Sequence, residues 1–500
     1  MDELKKLFTM NKYQWWFLII ILLVASVPRG IELLNHNYLF GFDQGEHLLQ
    51  VKKIVVDRTP TLIGTLVGGG GFFQGPGWYY LLSIPFFLSN GDPYASMILM
   101  FLLGIGTVFF SFIFLRKMFD IKSALFVSLL IAISPLIITQ SRFIWPPFPI
   151  SFLTVFFLYF LYRTLEKNER FFPLLAFILG MMTHFETATA ATLLVSFLPM
   201  LLMVYIKKLV SLRSTVLAFF ALVLTQLPLI VFDLKHEFLN IRGIFQMILS
   251  PSGVQLSFSQ LLENRWGNFR DNFIGTFQLS EQLWPLLLIV LFVGVILYLK
   301  DKKKSFADKS FVTYLTISPL LLFLVFLKIG VVMWGWWILQ LSIGYCFLFG
   351  ILFSYLLDRK YGKILILGLT GVMFAVYIFQ TIQFYKYDFN DFGGFHKIKG
   401  KMEAFDYIYK DANGQKFNLL VFTPPIYTYA YDYMTWWYGR QKYGYIPGNE
   451  KKGTFYLLME PDPQKPWTYK GWLETVVKSG KIIKTEELPS GFIIQKREEE

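Results

Sequence analysis

Apolar runs fill most of the first 380 residues of this chain and limit the folds that it can adopt. A helix needs about 20 apolar residues to cross about 30 Å of hydrocarbon. The candidate spans are Trp15 to Leu34, Gly77 to Ser89, Tyr94 to Leu115, Ser123 to Thr139, Pro149 to Tyr162, Phe171 to Thr183, Thr187 to Ile206, Thr215 to Phe232, Trp284 to Leu299, Phe311 to Leu327, Trp334 to Leu357 and Ile364 to Ile382. The pattern predicts an α-helical polytopic membrane protein with about 11–13 transmembrane helices.

Composition supports this class. The chain is 55% hydrophobic and only 16% charged, whereas soluble domains carry about 25% charged residues. The formal net charge of +13 is spread over short loops, which favours cytoplasmic anchoring over nucleic-acid binding. Cys346 is the only cysteine, so the sequence predicts no disulfide framework and no cysteine-based metal site.

Charge asymmetry predicts the orientation, because basic loops stay in the cytoplasm. The basic loops are those with Arg163 to Arg170, Lys207 to Arg213, Lys300 to Lys304 and Arg359 to Lys363. A retained first helix then has a cytoplasmic N-terminus, and the loops 35–76 and 233–283 face outside. An outside C-terminus needs an odd number of crossings, but twelve spans were found. The conflict lies between Gly77 and Leu115, where one span either does not cross or has been merged or split.

The hydropathy ends near Gln383, which predicts a transmembrane domain over 1–382 and a small extracytoplasmic α/β domain over 383–500. About 115 residues are enough for such a domain to fold alone. The predicted helices are His396 to Lys410, Tyr427 to Tyr443 and Trp472 to Lys478, and the predicted strands are Phe417 to Thr423, Thr454 to Met459, Lys481 to Thr485 and Phe492 to Lys496.

A polar run, GFDQGEH, follows the first apolar span. A helix over 43–57 places Asp43, Glu46, His47, Gln50 and Asp57 within an arc of roughly 100°. This arc predicts an interfacial helix whose acids face a water-filled site, and the alternative is a simple solvated face.

A glycine-rich stretch comes next, with four consecutive glycines at Gly68 to Gly71 before the aromatic segment Gly75 to Tyr80. Such glycines allow a backbone to approach a ligand or to move. The stretch lacks the Lys-Ser/Thr of a phosphate-binding loop, so nucleotide binding is excluded.

These segments resemble the first extracytoplasmic loop of the bacterial GT-C glycosyltransferases, in the protein mannosyltransferase-like group that includes the aminoarabinose transferases of lipid A. The stretches that carry the resemblance are Gly41 to His47, Thr61 to Gly64, Gly68 to Gly71 and Gly75 to Leu82. The segments around Arg142, Gly180 to Leu194 and Pro228 to Asn240 also resemble recurring segments of that group. The resemblance covers Trp15 to Arg242, and the later helices match only in hydropathy.

The resemblance implies an inverting transferase that moves a sugar from a polyprenyl-phosphate donor to a lipid, glycan or protein acceptor outside the cell. Asp43 matches the general base that deprotonates the acceptor hydroxyl, and Glu46 assists or orients it, with His47 beside them. The departing phosphate needs a fixed cation. Outer-side candidates are Arg58, Arg142, Lys235, Arg242 and Arg265; we prefer Arg142 and Arg242 because arginine binds phosphate bidentately. A headgroup-facing structural role is the alternative for each.

His184 and Glu186 lie between two apolar segments, where ionisable groups are functional candidates by default. Helix capping is the alternative for both residues. Asp233, His236 and Glu237 have the spacing of a metal cluster on one helix face, but no second ligand group is identifiable and metal stays unassigned. We therefore keep His236 as a substrate-binding candidate only.

The alternative function class is a secondary transporter or lipid flippase. Its signature is inverted repeats with broken helices and charges at the membrane midplane. Here the midplane is nearly uncharged apart from Glu186 and Lys328, and no two-half symmetry is visible. A single cavity that holds Asp43 and the cations, open to both lipid and the outside, favours the transferase.

Overall fold

The computed structural model describes residues 8–67, 71–249, 256–277, 283–360, 362–424, 427–462, 464–465 and 467–499. Three of the four consecutive glycines singled out in the sequence, at 68–70, lie outside the described residues. The described part is mostly helical and ends in a small four-stranded sheet. This is the predicted architecture of a helical membrane protein with a C-terminal α/β unit.

Six described helices are long and apolar enough to cross a membrane: Pro93–Met118, Thr187–Ile206, Leu212–Lys235, Phe306–Phe326, Gly335–Leu357 and Gly362–Asp388. Four shorter apolar helices are Gly77–Leu88, Ile121–Ile133, Pro149–Leu165 and Trp284–Lys300. The remaining helices before residue 383 are Lys12–Arg29, Ile31–Leu34, Phe42–Val55, Pro135–Gln140, Phe172–Met182, Leu239–Leu249 and Phe258–Phe277. The count of 11–13 crossings stays a prediction, because the short helices span a bilayer only together with flanking residues.

One predicted span is a short helix whose far end contacts the C-terminal domain. Gly77–Leu88 has 12 residues and is about 18 Å long, well short of about 30 Å of hydrocarbon. Its far end meets the C-terminal domain (the helices and strands after residue 383), because Gln441 donates to the Asn90 carbonyl at 2.5 Å and Tyr433 donates to the Gly91 carbonyl. The helix therefore returns to the side where the C-terminal domain lies. Without this helix eleven of the twelve predicted spans remain, an odd number, and the count of crossings stays a prediction.

The C-terminal domain has strands β1 Asn418–Phe422, β2 Gly453–Met459, β3 Lys481–Glu487 and β4 Ile493–Glu499, in the order β1-β2-β4-β3. The first pair is parallel and the other two are antiparallel. Its helical segments are Ile398–Ala412, Tyr429–Met434, Thr435–Gly439, Arg440–Tyr443, Thr468–Trp472 and Leu473–Val477. All of these elements lie within a few residues of their predicted positions. Asn413 ends the Ile398–Ala412 helix with a left-handed backbone, at φ 47°.

The first loop and the C-terminal domain are hydrogen-bonded to each other. The Phe40 N–H donates to the His396 carbonyl at 3.1 Å, and the Ile398 N–H donates to the Tyr38 carbonyl at 3.0 Å. These bonds place the helix Phe42–Val55, here called the first-loop helix, directly beneath the C-terminal domain. The predicted helix over 43–57 is thus present and has a fixed position.

Candidate active site

A cavity of about 690 Å³ lies between the first-loop helix, three other loops and the C-terminal domain. The polar arc predicted on the first-loop helix forms one wall, through Asp43, Glu46, His47 and Gln50. The fifth member, Asp57, is instead exposed and pairs with Lys52 at 2.9 Å. The other charged or aromatic lining residues are Phe42, Phe73, Tyr79, Trp145, Glu186, Trp334, Trp336, Trp337, Tyr427 and Tyr429.

Asp43 stands at the start of the first-loop helix and accepts a side-chain hydrogen bond from Trp145. Partial burial raises the pKa of the Asp43 carboxyl above its ordinary value, and this hydrogen bond partly opposes the rise. Gln44 fixes the geometry, because its amide donates to the Ile144 carbonyl at 2.9 Å and accepts from the Gly41 N–H at 2.9 Å. Gln44 thus links the helix that carries the acid to the loop that carries Trp145.

Glu46 lies one helical turn further on. The Tyr79 hydroxyl donates to both carboxylate oxygens, at 3.4 and 3.5 Å, and His47 Nε2 lies 3.6 Å from the Glu46 carboxylate. Burial raises the pKa of Glu46, and the nearby charge of Asp43 adds to the rise. His47 is fully buried and burial lowers its pKa to about 3, so it is a neutral imidazole at neutral pH.

Glu186 reaches the same cavity from the opposite side. It is the N-cap of the helix Thr187–Ile206, and its carboxyl accepts from the Ala188 N–H at 3.3 Å. Only 3% of the residue is exposed, and this burial raises its pKa to about 8. Glu186 therefore caps a helix, as the structural alternative held, and also presents a mostly protonated carboxyl group to the cavity at neutral pH.

Aromatic rings form the rest of the wall. Trp336 stacks on Trp334 with ring centroids 4.9 Å apart and meets Trp145 edge-on at 5.0 Å. From the C-terminal domain, Tyr427 stacks on Tyr429 at 5.5 Å. Sequence reasoning missed both groups, although the run Trp334, Trp336 and Trp337 is a visible signal.

Arg265, one of the cation candidates, supports the segment that carries Trp334, Trp336 and Trp337, here called the tryptophan wall. Its guanidinium donates to the carbonyls of Ile329 and Val331, both at 2.6 Å, and to that of Phe326 at 3.2 Å. The side chain is fully buried. Arg265 thus holds the segment that leads into Trp334, and it does not line the cavity.

The preferred cations, Arg142 and Arg242, are also absent from the cavity wall. Arg142 binds Glu32 at 2.6 Å and Asp388 at 2.8 Å, with its guanidinium 4.5 Å from the Phe384 ring. Arg242 is exposed and pairs with Glu237 at 3.3 Å. Among the described residues that line the cavity there is neither lysine nor arginine. The structure thus corrects the expectation that a cation lies beside Asp43.

The remaining candidates lie elsewhere. Arg58, Lys235 and His236 are exposed and do not line this cavity. His184 is buried and links three segments: its Nδ1 accepts from the Gly77 N–H at 3.1 Å, and its Nε2 donates to the Thr225 carbonyl at 2.7 Å. Both ring nitrogens are therefore used in holding the backbone, which leaves His184 a structural role next to the site.

The predicted metal spacing has another explanation. Asp233 caps the helix Leu239–Leu249, because its carboxylate accepts from the N–H groups of Asn240 at 2.7 Å and Ile241 at 3.3 Å. Within the described ranges, no group of three or more metal-ligating side chains is placed to hold an ion.

An apolar groove of about 410 Å³ adjoins the acidic cavity. It runs between the helices Phe172–Met182, Thr187–Ile206 and Leu212–Lys235, and Leu239–Leu249 closes one side. Phe73 lines both the groove and the acidic cavity. The apolar groove and the cavity that holds the carboxyl groups are therefore neighbours on either side of Phe73.

The fold and this site define a class: a multi-pass membrane protein with an acidic cavity beneath a small α/β domain. The fold is similar to that of ArnT from Cupriavidus metallidurans bound to undecaprenyl phosphate, with a TM-score of 0.63 at 11% sequence identity over 98% of both chains. The apo structure of the same ArnT gives a TM-score of 0.61 at 12% identity over 97% of both chains. The chain therefore has an ArnT-like fold, which agrees with the fold that the sequence resemblance implied. No protein-family model matches the chain, and no curated protein matches its sequence.

Proposed function

We propose that this protein is an integral-membrane glycosyltransferase that moves a sugar from a polyprenyl-phosphate donor to an extracytoplasmic acceptor. The observation that carries the proposal is the junction at Phe73, where an apolar groove meets a cavity lined by Asp43, Glu46 and Glu186. A lipid-linked sugar needs both parts, a channel for its tail and a polar chamber for its reacting end. The fold shared with ArnT, whose structure holds undecaprenyl phosphate, supports this donor class.

Asp43 is the proposed general base. It takes the proton from the acceptor hydroxyl while the acceptor oxygen bonds to the anomeric carbon, and the bond to the donor phosphate breaks with its electron pair left on the phosphate. Attack from the face opposite the phosphate inverts the anomeric centre. A base works best when its pKa lies near the operating pH, and burial moves the Asp43 pKa in that direction. Glu46, held by Tyr79, orients the hydroxyl.

The developing phosphate charge needs a partner other than Arg142 or Arg242. Glu186 has a carboxyl group that burial keeps mostly protonated at neutral pH, so it has an O–H to donate to a phosphate oxygen. Hydrogen-bond donors aimed at a developing charge in a site that excludes water stabilise the transition state. The tryptophan wall at Trp334 and Trp336 offers flat apolar faces to the sugar ring.

The proposal is tested by giving the purified full-length protein polyprenyl-phosphate sugars and, separately, nucleotide sugars, and by measuring the released polyprenyl phosphate in the first case and the released nucleotide in the second. We expect turnover with lipid-linked donors alone. Ala191 lines the groove and Val195 is an exposed residue of the same helix outside it. Ala191→Trp should raise the KM for long-chain donors, whereas the matched control Val195→Trp should not.

Two results would contradict the proposal. The first is turnover of nucleotide sugars with no response to any lipid-linked donor. The second is ion- or lipid-coupled transport in liposomes without glycosyl transfer, which would favour a transporter.

A further inference from the structure

A second cavity, of about 240 Å³, lies between the first loop and the C-terminal domain. Phe42 and Tyr427 line both this cavity and the acidic one, and their rings meet edge-on with centroids 5.6 Å apart. The two side chains thus form a thin partition. Anything held in the second cavity lies one aromatic layer away from Asp43.

The second cavity contains a buried ammonium group. Lys401 is only 2% exposed; its Nζ donates to the Phe395 carbonyl and, at 3.4 Å, to the Tyr431 hydroxyl. The same Nζ lies 4.7 Å from the Tyr431 ring and 5.7 Å from the Phe492 ring. Burial lowers the pKa of Lys401 to about 8, which leaves it mostly charged at neutral pH.

In the described part of the chain, no carboxylate makes an ion pair with Lys401 within 4.0 Å. Glu460 lines the same cavity and attracts the ammonium from a distance. Its Oε2 accepts hydrogen bonds from the Tyr431 hydroxyl and, at 3.3 Å, from the Thr423 hydroxyl, so Tyr431 stands between this carboxylate and Lys401. A buried charge without a close counter-ion is unfavourable, and an anionic ligand group would supply one.

The size of the cavity limits the ligand. Pockets for drug-sized ligands are about 300–1,000 Å³, so this smaller cavity takes a single ring or headgroup. Aromatic faces at Phe42 and Tyr427 and polar groups at Thr423 and Glu460 suit a sugar ring with hydroxyl groups. The Lys401 ammonium, which has no carboxylate within 4.0 Å among the described residues, favours a negative charge on that ring.

We infer that the second cavity is an acceptor subsite, in which Lys401 binds a carboxylate or phosphate carried by a sugar ring of the acceptor. The part of the acceptor that carries the attacked hydroxyl then extends past Phe42 and Tyr427, which line both cavities, into the cavity of Asp43. That the bound sugar is an acceptor rests on the proposed function, whereas the binding of an anionic sugar at Lys401 does not. The C-terminal domain thereby selects the acceptor as well as covering the active site.

The test is calorimetric titration of the full-length protein in detergent with glucuronate, glucose 6-phosphate and glucose. We expect both anionic sugars to bind and glucose to bind at least about tenfold more weakly, the worth of one charge-assisted contact. Lys401→Met should abolish the preference for anions. Lys399→Met is the matched control, because Lys399 is exposed on the same helix and should keep wild-type affinities.

Glu460→Gln provides an independent variant if Lys401→Met does not fold. It removes the negative charge from the cavity, so anionic sugars should bind several-fold more tightly while glucose is unaffected. The ratio of affinities for glucuronate and glucose 6-phosphate identifies the preferred anion.

The inference is overturned if glucose binds as well as the anions, if no sugar binds up to its solubility limit, or if Glu460→Gln leaves anion affinity unchanged. No donor is needed in this titration. Charge-dependent binding in a protein that transfers no sugar would therefore leave the subsite standing and contradict only the proposed function.

Discussion

Gly45 of the first-loop helix lies directly against the backbone of Ala430 in the C-terminal domain. A Cβ atom at position 45 would lie 2.3 Å from the Ala430 nitrogen, which is too short for two atoms that are not bonded to each other. Glycine is therefore required here, because two helices touch backbone to backbone. This contact fixes the C-terminal domain on the helix that carries Asp43 and Glu46.

Gly45→Ala should destabilise the protein. The clash is with backbone atoms that cannot turn away, and overpacking of this kind costs about 1–3 kcal/mol. Gly267→Ala is the matched control: it also lies inside a helix, and a Cβ there meets nothing within 4 Å. Thermal unfolding in detergent should give a lower Tm for Gly45→Ala and an equal or higher Tm for Gly267→Ala. Equal Tm values for Gly45→Ala and the wild type would refute the tight contact.

Arg142 should matter for stability rather than for catalysis. Arg142 and Glu32 have side chains only 10% and 12% exposed, and breaking a buried pair costs about 3–5 kcal/mol. Arg142→Met should therefore lower the Tm, while the protein that remains folded keeps kcat within a few-fold. Arg242→Met, at an exposed pair, should change the Tm little. A large loss of kcat at unchanged stability would return Arg142 to the active site.

The pH dependence of turnover should be bell-shaped. The base must be deprotonated, and the pKa of Asp43 is raised, so the rate should fall on acidification at a pH above the usual carboxyl range. Glu186 must be protonated to donate, and its pKa is about 8, so the rate should fall as the pH rises through about 8. Glu186→Gln keeps a neutral donor and the helix cap. It should remove only the alkaline limb, and persistence of that limb would show that another group titrates.

Labelling with an impermeant thiol reagent checks the orientation. In a Cys346→Ser background, single cysteines at Thr59 and Asn449 should react in intact cells, because both positions are exposed on the side of the first loop and the C-terminal domain. A cysteine at Lys303, in a basic loop, should be protected. Equal protection of positions 449 and 303 would reverse or abolish the assigned topology.

Local patterns in the sequence were enough for the first-loop helix and for the C-terminal elements. A period of 3.6 residues placed Asp43, Glu46 and His47 on one face, and that face lines the cavity. Hydropathy alone left Gly77–Leu88 open, because an apolar helix that turns back has the same composition as one that crosses. The short length of this helix and the bond from Tyr433 to the Gly91 carbonyl just after it favour a helix that turns back. That bond joins residues 342 positions apart in the sequence.

The rest of the site depends on pairings between distant segments. Arg142 has the chemistry of a phosphate ligand, but Glu32 and Asp388 bind its guanidinium. These two partners lie 110 and 246 residues away in the sequence, so no local pattern reveals them. The tryptophan wall and the tyrosines at 427 and 429 reach the cavity only through the packing of loops far apart in the chain. No local sequence pattern predicts contacts between segments so far apart in the chain.

Asp43→Asn is the most direct test of the central claim, that Asp43 is the general base. Asparagine keeps the shape and the hydrogen bond from Trp145 but has no basicity, and loss of a positioned base costs about 10²–10⁴-fold in rate. Asp57→Asn is the control, since this acid, two residues beyond the end of the same helix, is exposed and outside the cavity. Single-turnover transfer from a polyprenyl-phosphate sugar should fall by that factor for Asp43→Asn, fall less for Glu46→Gln, and stay at the wild-type rate for Asp57→Asn. A wild-type rate for folded Asp43→Asn would place the base elsewhere.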